Sequence, residues 1–152
     1  MSRGYLFIWV EKQMTSEVMD IFESKNFAYV ENMAWIRLLP TNRLMMEPAP
    51  YFARSKLTML IFKKVCEATK NLDLRHQRSC DVWMDFVRHR TTTDGREDKP
   101  SYQYHLIETM LPSIPPLRKL QLWAPPHRPR TGWTMLSQEF SVQPEEEGQL
   151  LP

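Results

Sequence analysis

Hydrophobic positions in this chain fall into short apolar runs, helically spaced sets and proline-rich stretches. Tyr5-Leu6-Phe7-Ile8-Trp9-Val10 is apolar and aromatic with no polar alternation, the pattern of a strand covered on both faces of a sheet. Met14, Val18, Ile21 and Phe22 then recur at helical spacing. With Thr15 and Ser16 available as N-caps and Asn26 at the C-terminal stop, they predict a helix over Ser16–Lys25. Tyr29-Val30 with Met33-Ala34-Trp35-Ile36 predicts a second strand, and Leu57 to Phe62 a third, ended by Lys63-Lys64. Strand, helix, strand is the order of a βαβ unit.

Leu39 to Ser55 contains Pro40, Pro48 and Pro50, which continue neither helix nor ladder, so a long loop is expected there. Cys80 to Val87 predicts a fourth strand, and the polar stretch Arg88 to Asp98 a loop. Ser101 to Leu111 places Tyr104, Ile107 and Leu111 on one helical face. Leu117 to Trp123 is expected as a buried strand and Thr134 to Val142 as a last one. Alternation of these elements predicts an α/β domain over 1–142 with a largely parallel sheet. The remainder, 143–152 with Glu145-Glu146-Glu147, has the composition of a solvated, disordered tail. Trp9, Trp35, Trp83 and Trp123 lie in predicted strands and are assigned to the core, and Met45-Met46 to adaptable packing.

Composition adds mainly exclusions. In 152 residues, 42% hydrophobic and 25% charged, there is material for one globular core. A net charge of +2 is too small to imply a nucleic-acid partner without knowing where the charges sit. Cys66 and Cys80 have neither redox nor zinc spacing, no metal site is expected, and the absence of a leader-like run points to a reducing intracellular compartment. Tyr5–Val10 is far shorter than the roughly 20 apolar residues that a membrane helix needs.

The most specific signal is an order of motifs late in the chain. Lys99-Pro100 opens the run to Met110-Leu111-Pro112. Arg118-Lys119-Leu120-Gln121-Leu122-Trp123 follows, and then Pro125-Pro126-His127-Arg128-Pro129-Arg130-Thr131-Gly132-Trp133. This succession resembles the closing segment of the eukaryotic adenine amino-methyltransferases, the family of the mRNA adenosine methyltransferase catalytic subunit. The likeness runs from Gly4 to Leu136 and includes Cys80-Asp81-Val82, Val87-Arg88 and Ile107-Glu108. It implies a Rossmann-like methyltransferase fold and S-adenosylmethionine as cofactor. Lys99 and His127 would lie near the methionine end of the cofactor, and Gln138 would offer an amide to it.

Departures from that family pattern are equally specific. The family's catalytic Asp-Pro-Pro and aromatic residue stand upstream of the strand that corresponds to Tyr5–Val10, so the resemblance assigns no catalytic residue within this sequence and covers the carboxyl-terminal two-thirds of such a module. Ile114-Pro115-Pro116-Leu117 and Ala124-Pro125-Pro126-His127 lack the acid and are expected as turns. Pro125 and Arg128 replace an Arg and an Asn, Ser137-Gln138-Glu139 replaces Gly-Asn-Gln, and Ala53-Arg54-Ser55-Lys56 replaces His-Gly-Lys-Glu. The resemblance then implies a divergent, non-catalytic member, or a fragment of one, that supports an active methyltransferase subunit in a nuclear heterodimer on DNA or RNA. Two alternatives stay open: an active enzyme whose catalytic segment comes from upstream or from another chain, and a small α/β interaction protein unrelated to methylation.

Basic residues gather in predicted loops, and Arg54, Lys56, Arg88, Arg90, Arg128 and Arg130 are the candidates for phosphate contact. The competing reading is a solvated surface balanced by 18 acidic residues.

Overall fold

The computed structural model describes residues 2–67, 74, 79–89, 97–115, 118–124 and 129–137. The chain divides into two compact units, Met1–Pro112 and Ser113–Pro152. The stretch 143–152, expected as a tail, lies outside the described residues.

The first unit is a four-stranded sheet with a helix on each face. Its strands are β1 (Tyr5–Val10), β2 (Phe27–Leu38), β3 (Lys56–Lys64) and β4 (Val82–Phe86), in the spatial order β1-β3-β2-β4. β3 runs antiparallel to both neighbours, and only β2 and β4 pair in parallel. The largely parallel sheet predicted from the sequence is therefore corrected to a mixed one. The reason is the β2–β3 connection, which holds no helix and closes as a hairpin, whereas adjacent parallel strands need a crossover. β1 and β2 are still joined through α1 (Thr15–Ser24), but β3 lies between them and β1 occupies a sheet edge.

Two-sided burial explains the unbroken apolar run of β1. On one face, Leu6, Ile8 and Val10 join Leu60 and Phe62 of β3 under Val18, Met19 and Phe22 of α1. On the other, Phe7 and Trp9 pack with Met33, Met59 and Leu106, the last from α2 (Tyr102–Met110). Trp35 and Phe62 are fully buried. Trp9 donates its indole N–H to the buried Gln103 at 2.8 Å, and Trp83 stacks on Tyr102 with ring centroids 3.8 Å apart, so both indoles help fix α2 to the sheet.

α1 is entered through a 3-10 turn, Lys12–Met14, and its N-cap position is Met14 without a side-chain bond, rather than Thr15 or Ser16. Its end matches expectation: Asn26 adopts a left-handed φ of 58° and donates its N–H to Glu23. The loop after β2 folds into two turns, closed by the bridges Leu38 with Leu44 and Glu47 with Arg54. Its tip holds Tyr51 and Phe52 out in solvent, and Met46 is also largely exposed rather than packed. Two short strands, β5 (Arg88–His89) and β6 (Glu97–Asp98), pair antiparallel in the stretch expected as loop.

In the second unit, β7 (Leu120–Gln121) pairs in parallel with β8 (Thr134–Met135). The buried strand expected over Leu117–Trp123 is shorter and not buried: Leu120, Leu122 and Trp123 are each about half exposed or more, so Trp123 is not core. Trp123 takes a left-handed φ of 53°, a bend that a continuing strand excludes. Thr134 and Met135 realise the start of the last strand, and 138–142 lie outside the described residues.

Candidate functional site

Lys99 stands between β6 and α2. Pro100 after it accepts a hydrogen bond from the Gln103 N–H at 3.1 Å, and the Gln103 side chain is held by Trp9, so the entry to the helix is anchored to the core. This places the Lys99 ammonium 3.7 Å from the Glu97 carboxylate. The same Glu97 oxygen lies 3.8 Å from the guanidinium of Arg37.

Arg37 is the centre of the arrangement. It follows Met33 and Trp35 on the alternating inward positions of β2 and is only 6% exposed. A buried guanidinium requires a carboxylate with matching geometry. Glu47 provides it, accepting two hydrogen bonds of 3.1 and 3.0 Å, and the Arg54 carbonyl accepts a third at 3.1 Å. The Arg37 side chain thereby ties the long β2–β3 loop to the sheet. Arg54 continues the chain of charges, 3.7 Å from Glu47 and hydrogen-bonded to Glu11 at 2.6 Å. Arg37 is foremost in holding the Glu47 carboxyl below its ordinary range through its hydrogen bonds; burial opposes this, and the charges of Arg37, Arg54 and Lys99 add to it.

Glu11, Arg54, Glu47, Arg37, Glu97 and Lys99 thus form an alternating line of three acids and three bases. One oxygen of Glu97 and the Nε atoms of Arg37 and Arg54 are buried without a hydrogen-bond partner. A cofactor carboxylate at Lys99 would need uncompensated cationic charge. The line supplies none, because Lys99 already faces Glu97. The described residues therefore do not by themselves fit the carboxylate end of S-adenosylmethionine. His127 and Gln138, the other two cofactor candidates, lie outside the described residues.

On the α1 side of the sheet, a cleft of about 510 Å³ opens between α1, the middle of β2 and β3, and the β2–β3 loop. Arg54 and Lys56 both line it, so two of the six candidate phosphate contacts are brought together. Arg88 is exposed on β5, and Arg130 belongs to the second unit, where its backbone N–H meets the Met135 sulfur at 3.1 Å. Arg90 and Arg128 lie outside the described residues. Sequence reasoning missed Lys12, Tyr29, Asn32 and Phe52, which also line it. Tyr51-Phe52 at a proline-bounded loop tip was the available signal, since large aromatic side chains there have no core to enter. Arg37 was also missed, although a cation on the inward parity of Met33 and Trp35 calls for a buried partner.

Among the described residues no group of three or more His, Cys, Asp or Glu side chains could hold a metal ion, and no helix is long and apolar enough to cross a membrane. The model of the MT-A70 family matches residues 1–139. The chain belongs to the MT-A70 methyltransferase family. That family generally uses S-adenosylmethionine, and membership carries an adenine methyltransferase-like function. A search of individually curated proteins gave no match.

Proposed function

We propose that this chain is a divergent, non-catalytic MT-A70 subunit of the type of the mRNA adenosine methyltransferase, with a Rossmann-like core, that supports an active partner in forming 6-methyladenine on nuclear DNA or RNA. The observation that carries the reading is the engagement of Lys99 by Glu97 at 3.7 Å, in a line of charges that sums to zero. The lysine that the family resemblance assigns to the cofactor is spent on the protein's own carboxylate. Pro125, Arg128 and Glu139 at the expected cofactor positions support the same conclusion, Glu139 because it offers acceptors and negative charge where an amide donates.

The test is methyl transfer from labelled S-adenosylmethionine to adenine-containing DNA and RNA, by the chain alone and with an active MT-A70 subunit. Background incorporation alone, with raised activity of the pair over the partner by itself, is expected. Incorporation by the isolated chain would overturn the non-catalytic reading and favour an active enzyme.

A further inference from the structure

We propose that the cleft on the α1 side of the sheet binds one nucleotide of a single-stranded nucleic acid, its phosphate at Lys12 and Lys56 and its base on the Phe52 ring. This rests on the reading of the chain as a nucleic-acid-associated subunit and names the surface that makes the contact.

Charge decides where the phosphate goes. Of the three cations lining the cleft, Arg54 is compensated by Glu11 at 2.6 Å and Glu47 at 3.7 Å, so it shapes the wall rather than offering charge. Lys56 is exposed at the start of β3 and makes no ion pair among the described residues, and Lys12 faces a ring rather than a carboxylate. The cleft is therefore net positive while the neighbouring line of charges is neutral.

Stacking decides what carries the phosphate. Phe52 is 76% exposed, an arrangement that costs hydration free energy unless something covers the ring. The Lys12 ammonium lies 5.4 Å from that ring's centroid, so cation and stacking surface sit within the span of a single nucleotide. Aromatic rings beside cations are the usual platform for unpaired bases, whereas bases inside a duplex do not present their faces. Two polar groups of the lining are already oriented: Asn32 donates an amide N–H to the Tyr29 hydroxyl at 2.6 Å, leaving the Asn32 carbonyl and the Tyr29 O–H for a base edge. A volume of about 510 Å³ accommodates a ligand of nucleotide size.

The experiment is fluorescence anisotropy of the full chain with labelled 12-nucleotide oligo(dA) and oligo(A) across a salt series, with unlabelled AMP as competitor. Lys12→Ala with Lys56→Ala should weaken both oligonucleotides and reduce the salt slope by about 0.7, the value for one phosphate contact on a single strand. Phe52→Ala should weaken binding roughly 5- to 150-fold with the salt slope unchanged. All three side chains are solvent-accessible, and matching thermal melts confirm that the variants fold. The two oligonucleotide arms distinguish a DNA from an RNA strand. Binding unchanged in the cleft variants but weakened by Arg88→Ala or Arg130→Ala would overturn the cleft and leave the nucleic-acid reading standing. No oligonucleotide binding by the wild-type chain would overturn both, and AMP competing as strongly as the oligonucleotides would replace the strand by a free nucleotide.

Discussion

Lys99 reaches Glu97 at 3.7 Å, and through it the buried Arg37, so the lysine at the start of α2 is one end of a compensated line of charges rather than an open cation. Compensation of this kind is set by partners on other elements. It changes what the residue can bind without changing the residue.

If Glu97 is what occupies Lys99, Glu97→Gln should strengthen S-adenosylmethionine binding by roughly two- to fivefold, the range for a partly exposed ion pair. Titration calorimetry of wild-type, E97Q and Lys99→Ala protein measures it. Equal affinities for wild type and E97Q would remove the compensation argument.

Arg37 is expected to be the most sensitive polar position in the first unit. Arg37→Ala strands Glu47 and Glu97 beside a cavity and releases the β2–β3 loop, and should cost about 3 kcal/mol. Arg37→Lys should recover only part of this, since one ammonium cannot make two parallel bonds to a carboxylate. Urea unfolding with unchanged m-values would report both.

Glu47 makes stability depend on pH in a defined direction. Its folded-state pKa lies below the unfolded value, so its contribution is complete above about pH 4.5 and is lost as pH falls through the folded value. In Glu47→Gln the acid limb should flatten over that window while stability at neutral pH also drops. A wild-type and variant pair with identical acid unfolding curves would show that Arg37 draws nothing from the charge.

At the end of α1, Asn26 holds a φ of 58°, which a residue with a β-carbon tolerates poorly. Asn26→Ala should destabilise by about 1 kcal/mol, and Asn26→Gly should be neutral or slightly stabilising. Thermal unfolding of the two variants side by side separates backbone strain from loss of the side chain.

Element type and extent were largely legible in the sequence, because they follow from periodicities the chain itself carries. β1, α1, β3, β4 and α2 fall within a residue or two of their predicted limits, and Asn26 stops α1 as its chemistry requires. Tyr5–Val10 also announced burial on both faces, which α1 and α2 provide. What that run did not contain was strand direction. Alternation of strands and helices predicts a largely parallel sheet, yet β3 enters antiparallel between β1 and β2, a choice made by the helix-free hairpin after Leu38 and by long-range packing. The order of Lys99-Pro100 and the motifs after it likewise carried the family without any fold. The charge state of the neighbourhood of Lys99, and the gathering of Lys12, Phe52 and Lys56 around one cleft, were decided only by tertiary structure. Ion pairs and clefts join residues from separate elements, and such distances are fixed only when the sheet order and the folded loop bring those elements together.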